Sequence, residues 1–139
     1  MASVTGTPCI SLRPIVGEAS ALIGVQYRGN DSGGHRGAWI LRRARADSWV
    51  LAGTSLVPGD GLSNAGIEID KTSPASPKNI QVLAEIPNLF GPGFTGQMTY
   101  YQTPAGAEVF AAGAFTLAGN VREPKVATLV ENVWSHMTE

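Results

Sequence analysis

The chain is poor in the residues that build cross-linked or metal-stapled folds: one cysteine, Cys9, and two histidines, His35 and His136, in 139 residues. A single thiol closes no internal disulfide, and this set falls short of the dense ligand spacing of a structural zinc site. Charge is also sparse, at 15%, and ten basic against eleven acidic side chains leave a formal net charge of −1. Such a chain has no long-range field to recruit nucleic acid or an anionic membrane surface. No apolar stretch approaches the roughly 18 to 20 residues of a spanning helix. Residues 1–8 carry neither the basic flank nor the apolar run of a secretory signal. The expected setting is cytoplasmic, with no nucleic acid and no membrane as partner.

What the sequence does hold is apolar residues, at 43%, punctuated by 17 glycines and nine prolines without a fixed period. That pattern predicts strands joined by many turns, packed as one domain over residues 1–139 with an irregular lead-in over 1–20. The order Leu-Ile-Gly-Val-Gln-Tyr over 22–27 predicts a strand, closed by turn chemistry from Arg28 to Gly34. Ala38 to Leu41 and Trp49 to Ala52 are short enough for strands, with room for a helix among Arg42, Arg43 and Arg45 between them. Gly53 to Gly66 reads as an irregular surface loop.

The stretch Gly66-Ile67-Glu68-Ile69-Asp70 alternates apolar and acidic residues. As a strand it turns Ile67 and Ile69 inward and places Glu68 and Asp70 together on the wetter face. After a linker over 71–78, Ile80 to Ile86 predicts another strand. Gln97 to Gln102 and Ala107 to Phe115 form a hairpin through Thr103-Pro104-Ala105-Gly106, because proline presets φ and glycine accepts the positive φ that closes such a loop. Its second arm is apolar on both faces, which predicts an interior strand of an α/β sheet. Val126, Leu129, Val130, Val133, Trp134 and Met137 recur at steps of three and four, marking a C-terminal helix that starts at Pro124 and covers one face of the hairpin.

Few motifs carry chemistry. Asp31-Ser32-Gly33-Gly34 resembles the nucleophile loop of trypsin-like proteases, but that triad needs a histidine upstream of the serine and none precedes Ser32. It reads as a turn. Gly53-Thr54-Ser55 lacks the lysine of a phosphate loop. Arg36, Trp39, Arg42, Arg43, Arg45 and Trp49 interleave guanidinium and aromatic groups, yet the slightly acidic balance favours a solvated face. Glu68 and Asp70 are the candidate catalytic pair, as acid and base, against the plainer reading of solvated edge residues. Tyr100 and Tyr101 offer phenolic ligands, but adjacent strand residues point to opposite faces.

The order of the blocks at 21–27, 48–60, 66–70, 80–84, 98–113 and 129–134 resembles the C-terminal region of the N,N-dimethylformamidase large (beta) subunit family, over most of residues 12–138. The resemblance implies an α/β fold, specifically a partial class I glutamine amidotransferase-like (flavodoxin-like) sheet with a C-terminal hairpin and helix. It implies amide C–N hydrolysis to an amine and formate, with iron held by two tyrosines and a glutamate in the full-length enzyme. Those ligands are expected upstream, so none is carried to Tyr100, Tyr101 or Glu68, and no cofactor is expected within this segment. Glutaminase chemistry is not implied, since Gly113 to Gly119 has no histidine where that family's His-x-Glu would stand. The isolated chain is expected to be inactive, with a homo-oligomer or companion subunit docking on exposed sheet edges and a small amide substrate bound in the full assembly. The alternative is a non-catalytic α/β module that binds a small molecule or protein through the Gly53 to Asp70 segment.

Overall fold

The computed structural model describes residues 19–31, 34–42 and 49–139. Seven strands are described: β1 Gln26–Asn30, β2 Arg36–Leu41, β3 Gly61–Gly66, β4 Glu68–Lys71, β5 Gln81–Ile86, β6 Gly96–Gln102 and β7 Glu108–Ala111. Two α-helices, α1 Ala19–Ile23 and α2 Pro124–Thr138, and 3-10 turns at Trp49–Leu51 and Phe115–Asn120 complete it. β1 and β4 form a two-stranded sheet; the other five lie in the order β3-β2-β5-β6-β7. The broad α/β expectation, with its closing hairpin and helix, matches this arrangement. Every ladder among the described residues is antiparallel. A flavodoxin-like sheet is parallel, so the partial glutamine amidotransferase-like sheet that the resemblance implies is not the one these residues form.

The reason lies in the second arm of the hairpin. Its apolar character suggested an interior strand, but β7 is an edge strand of four half-buried residues. The cover it needs comes from curl. Neighbouring strands lie about 4.8 Å apart, so in a flat sheet β2 and β7, with β5 and β6 between them, would stand about 14 Å apart. The fully buried Trp39 on β2 nonetheless donates its indole N–H to the carbonyl of Ala112, at 2.8 Å. The sheet bends round the indole, and one hydrophobic cluster containing Trp39, Leu62, Ile69, Ile86, Met98 and Leu129 fills the concave side.

The two sheets join where the chain leaves β7. Gly113 has φ +72, its carbonyl accepts from the Asp70 amide at 3.0 Å, and Ala114 bridges Ile69 on β4. A methyl group on Gly113 would lie 2.0 Å from the Gln97 carbonyl oxygen; one on Gly96 would lie 2.9 Å from the Gly113 oxygen. Two glycines thus allow three backbones to cross at a separation no side chain permits.

Other elements depart from the sequence reading for local reasons. The strand expected over 22–27 begins only at Gln26, because Gly24 adopts φ +84 and donates its N–H to the Ser20 carbonyl, closing α1 as a C-terminal cap. Trp49–Leu51 is a 3-10 turn, tied by the Ala52 amide to the Trp49 carbonyl. The loop expected over 53–66 ends in β3, whose weak strand formers are held by burial of Leu62 and Ala65. The arginine-rich stretch with Arg43 and Arg45, Ser32 of the Asp-Ser-Gly-Gly turn, and most of the lead-in lie outside the described residues. α2 starts at Pro124 as expected, burying Val126 and Leu129, each worth about 1.5–3 kcal/mol of burial. It packs mainly on the Trp49 turn, and its last turn reaches the hairpin where His136 meets Glu108. No helix among the described residues is long and apolar enough to cross a membrane.

Gly113→Ala is expected to abolish cooperative folding or cost more than about 3 kcal/mol, since both strain and overlap act on backbone atoms. Gly106→Ala, at φ +88 with open space around it, should cost only about 1 kcal/mol. Thermal unfolding followed by circular dichroism separates the two.

Candidate functional site

Glu68 and Asp70 stand two apart on β4, opposite Asn30 and Tyr27 of β1. They share one face, as the alternation predicted, and both are half-buried. The paired inward isoleucines are not observed. Ile69 is fully buried, but Ile67 sits at φ +70 and is 40% exposed. The left-handed residue at the β3–β4 corner breaks the alternation, and its carbonyl accepts from the Asp31 amide at 2.8 Å. Burial foremost, and the charge of Glu68 next, push the Asp70 carboxyl above its ordinary value of 3.8.

A second cluster joins three elements. Tyr100 on β6 donates its hydroxyl to Glu108 Oε1 on β7 at 2.6 Å, and the same oxygen accepts from Nε2 of His136 on α2 at 3.1 Å. The His136 ring stacks on Trp49, with centroids 3.9 Å apart and planes 19° apart, while Tyr100 meets Trp49 edge-on at 5.3 Å. Burial first, then the hydrogen bond and charge of Glu108, push the Tyr100 hydroxyl up to about 12. It keeps its proton at neutral pH and is the donor. One turn earlier on α2, Asn132 donates to the carbonyls of Val50 and Ala52 at 2.9 and 2.7 Å. Together these residues lock the second half of α2 to the Trp49 turn and the hairpin.

Sequence reading passed over Glu108, His136 and Trp49 as a group, although two signals pointed to them. The hairpin register pairs Gln102 with Glu108 and Tyr100 with Phe110, which makes Tyr100 and Glu108 diagonal neighbours on one face. His136 falls seven residues after Leu129 and three after Val133, on the stripe that faces inward.

Tyr101, next to Tyr100, turns to the opposite face and donates its hydroxyl to the Leu22 carbonyl. The two adjacent phenols therefore share no ligand set. His35 contacts the Asp31 carboxylate and lies edge-on to Phe90, in no common cluster with His136. Among the described residues no three His, Cys, Asp or Glu side chains come together as a candidate metal site.

The family described as N,N-dimethylformamidase beta subunit-like, C-terminal, matches residues 4–128. The chain belongs to this family. No curated protein sequence matches it. The matched span takes in all seven strands and the first turn of α2, so Glu68, Asp70, Tyr100 and Glu108 fall within the dimethylformamidase-like region and His136 lies beyond it. An iron site of two tyrosines and a glutamate, the set implied by the resemblance, does not fit Tyr100 and Tyr101 of this dimethylformamidase-like domain, whose hydroxyls are committed on opposite faces.

Two measurements follow from this geometry. The folded protein holds the Asp70 proton more tightly than the unfolded chain, so its ionisation lowers stability as pH rises through that range. Asp70→Asn should therefore raise the melting temperature at pH 7, with the gain vanishing once pH falls below 3.8. His136→Ala removes a ring stack and a hydrogen bond, and should lower stability by about 1–2 kcal/mol, read as a melting temperature lower by several degrees.

Proposed function

We propose that this chain is the C-terminal portion of a dimethylformamidase-like amidohydrolase, and that it supplies framework to a reaction whose iron ligands lie on another portion or another chain. The reaction is hydrolysis of an amide C–N bond to an amine and formate, with the metal acting as Lewis acid and water activator when bound. Family membership over residues 4–128 carries the reading. The commitment of Tyr100 to Glu108 and of Tyr101 to the Leu22 carbonyl supports placing the ligands elsewhere.

In this reading the domain contributes a sheet edge, a pocket wall or subunit contacts. β3 is a poor docking edge, because the Asn64 carbonyl already accepts from Thr116 and Asn120 of the Phe115–Asn120 turn. β7 has one strand neighbour among the described residues, and an open edge invites pairing with another chain. Trp134 and Met137, on the half of α2 that reaches β7, are 70% and 40% exposed. A companion subunit or a second copy of this chain is the partner in this reading, with the small amide bound in the full assembly and the cytoplasm as its compartment.

Iron content and dimethylamine release from N,N-dimethylformamide, measured on the purified chain, test the assignment. Neither stoichiometric iron nor turnover is expected from the chain alone, with both appearing when the upstream portion is co-expressed. Stoichiometric iron with amine release from this chain alone would contradict the placement of the reactive centre. Failure of the pair to hydrolyse the amide, with a small molecule still bound by this chain, would favour the non-catalytic module instead.

A further inference from the structure

An open groove of about 370 Å³ lies where β2 ends, with Ile40, Pro58, Gly59 and Pro87 in its lining. That volume falls within the range of small-molecule sites. Its rim is tightly defined: the Gly59 amide donates to the Leu41 carbonyl at 2.9 Å, the Leu41 amide to Asp60, and the Arg42 amide to the Leu83 carbonyl at 3.0 Å. The charged groups at the groove are Arg42 and Glu85. Arg42 places one guanidinium nitrogen on Glu85 Oε2, and its side chain remains 54% exposed.

Glu85 is held from behind. Its other oxygen accepts from the Gln97 side-chain amide at 2.9 Å, and the Gln97 oxygen accepts from both the amide and the hydroxyl of Thr72, at 3.0 and 2.8 Å. Gln97 is buried, at 7% exposure. A relay from Thr72 through Gln97 and Glu85 therefore orients Arg42 from the interior. A guanidinium has five N–H donors in a planar fork suited to two-point contact with a carboxylate. One nitrogen is spent on Glu85; Arg42 lines the groove together with its apolar residues, and with 54% of its side chain exposed the rest of the fork is open to a ligand from solvent.

We propose that this groove binds a small monocarboxylate, its carboxylate on the exposed edge of Arg42 and its short alkyl group between Ile40, Pro58 and Pro87. A free organic acid is the source that suits a groove of this volume. Glu85 is a positioning residue here, since it acts through Arg42.

The test is an amide-resolved NMR titration of the full chain with sodium butyrate, with butyramide and butylammonium as controls of similar shape. Saturable shifts are expected at Gly59, Arg42 and Glu85 for butyrate, with binding of either control at least about tenfold weaker. Arg42→Gln should weaken butyrate binding about tenfold, and Arg42→Lys, which keeps the charge but loses the fork, about threefold. Unchanged amide positions on β6 and β7 in both variants show that the fold is intact. Absence of a saturable shift, equal binding by Arg42→Gln, or butyramide binding as tightly as butyrate would each overturn the proposal.

Discussion

Gly113 has no side chain because there is no room for one. Its α-carbon passes so close to the Gln97 carbonyl that a methyl group would lie 2.0 Å from that oxygen, and Gly96 faces it with similar constraint. That contact lets the chain leaving β7 turn back against β4, so that the Asp70 amide reaches the Gly113 carbonyl and Ile69 enters the core fully buried. Without the crossing, the β1–β4 pair would lose the backbone bonds that Asp70 and Ile69 make to the chain leaving β7, and a two-stranded ribbon without such support is marginal in water. The curl of the large sheet, secured one residue earlier by Trp39 on Ala112, depends on the same passage. Packing at this point therefore decides both the shape of the large sheet and the attachment of the small one.

Around this junction the polar interior is fully paired. No buried side-chain nitrogen or oxygen among the described residues lacks a hydrogen-bond partner. Gln97 spends its amide on Glu85 and Thr72; Glu108 accepts from Tyr100 and His136; Ser76 donates to the Gly24 carbonyl at 2.7 Å. Such networks specify one arrangement of their elements, since each partly satisfied alternative leaves a desolvated polar atom. They also leave little side-chain chemistry unused inside the domain. The framework role proposed for this dimethylformamidase-like domain draws on that pairing, and among the described residues Arg42 beside its groove and the edge of β7 are accessible groups at its rim.

Where local chemistry dominates, the structure was legible from the amino acids. The Thr103-Pro104-Ala105-Gly106 turn dictated the hairpin, and the three-and-four spacing after Pro124 dictated α2. The shared face of Glu68 and Asp70 followed from a period of two. Tertiary packing overrode local preference elsewhere. β3 is built from Gly-Leu-Ser-Asn-Ala-Gly, which no propensity favours as a strand, and forms because Leu62 and Ala65 are buried against its neighbours. Gly24 looked like the middle of a strand and is instead the cap of a five-residue helix. The two-sided apolar arm reads as a central strand, whereas β7 is an edge strand half-covered by the curl of its own sheet and by contact with α1. The Tyr100–Glu108–His136 lock required hairpin register and helix phase to be combined, and neither alone reveals it.

Native-state hydrogen exchange, resolved at single amides, tests most directly whether the Gly113 crossing binds the two sheets into one cooperative unit. The Asp70 amide, bonded to the Gly113 carbonyl, should exchange with the same opening free energy as the amides shared by β5 and β6, near the global value. If the Asp70 amide instead opens at a free energy far below that of β5 and β6, the small sheet detaches independently, and the crossing does not hold the fold together.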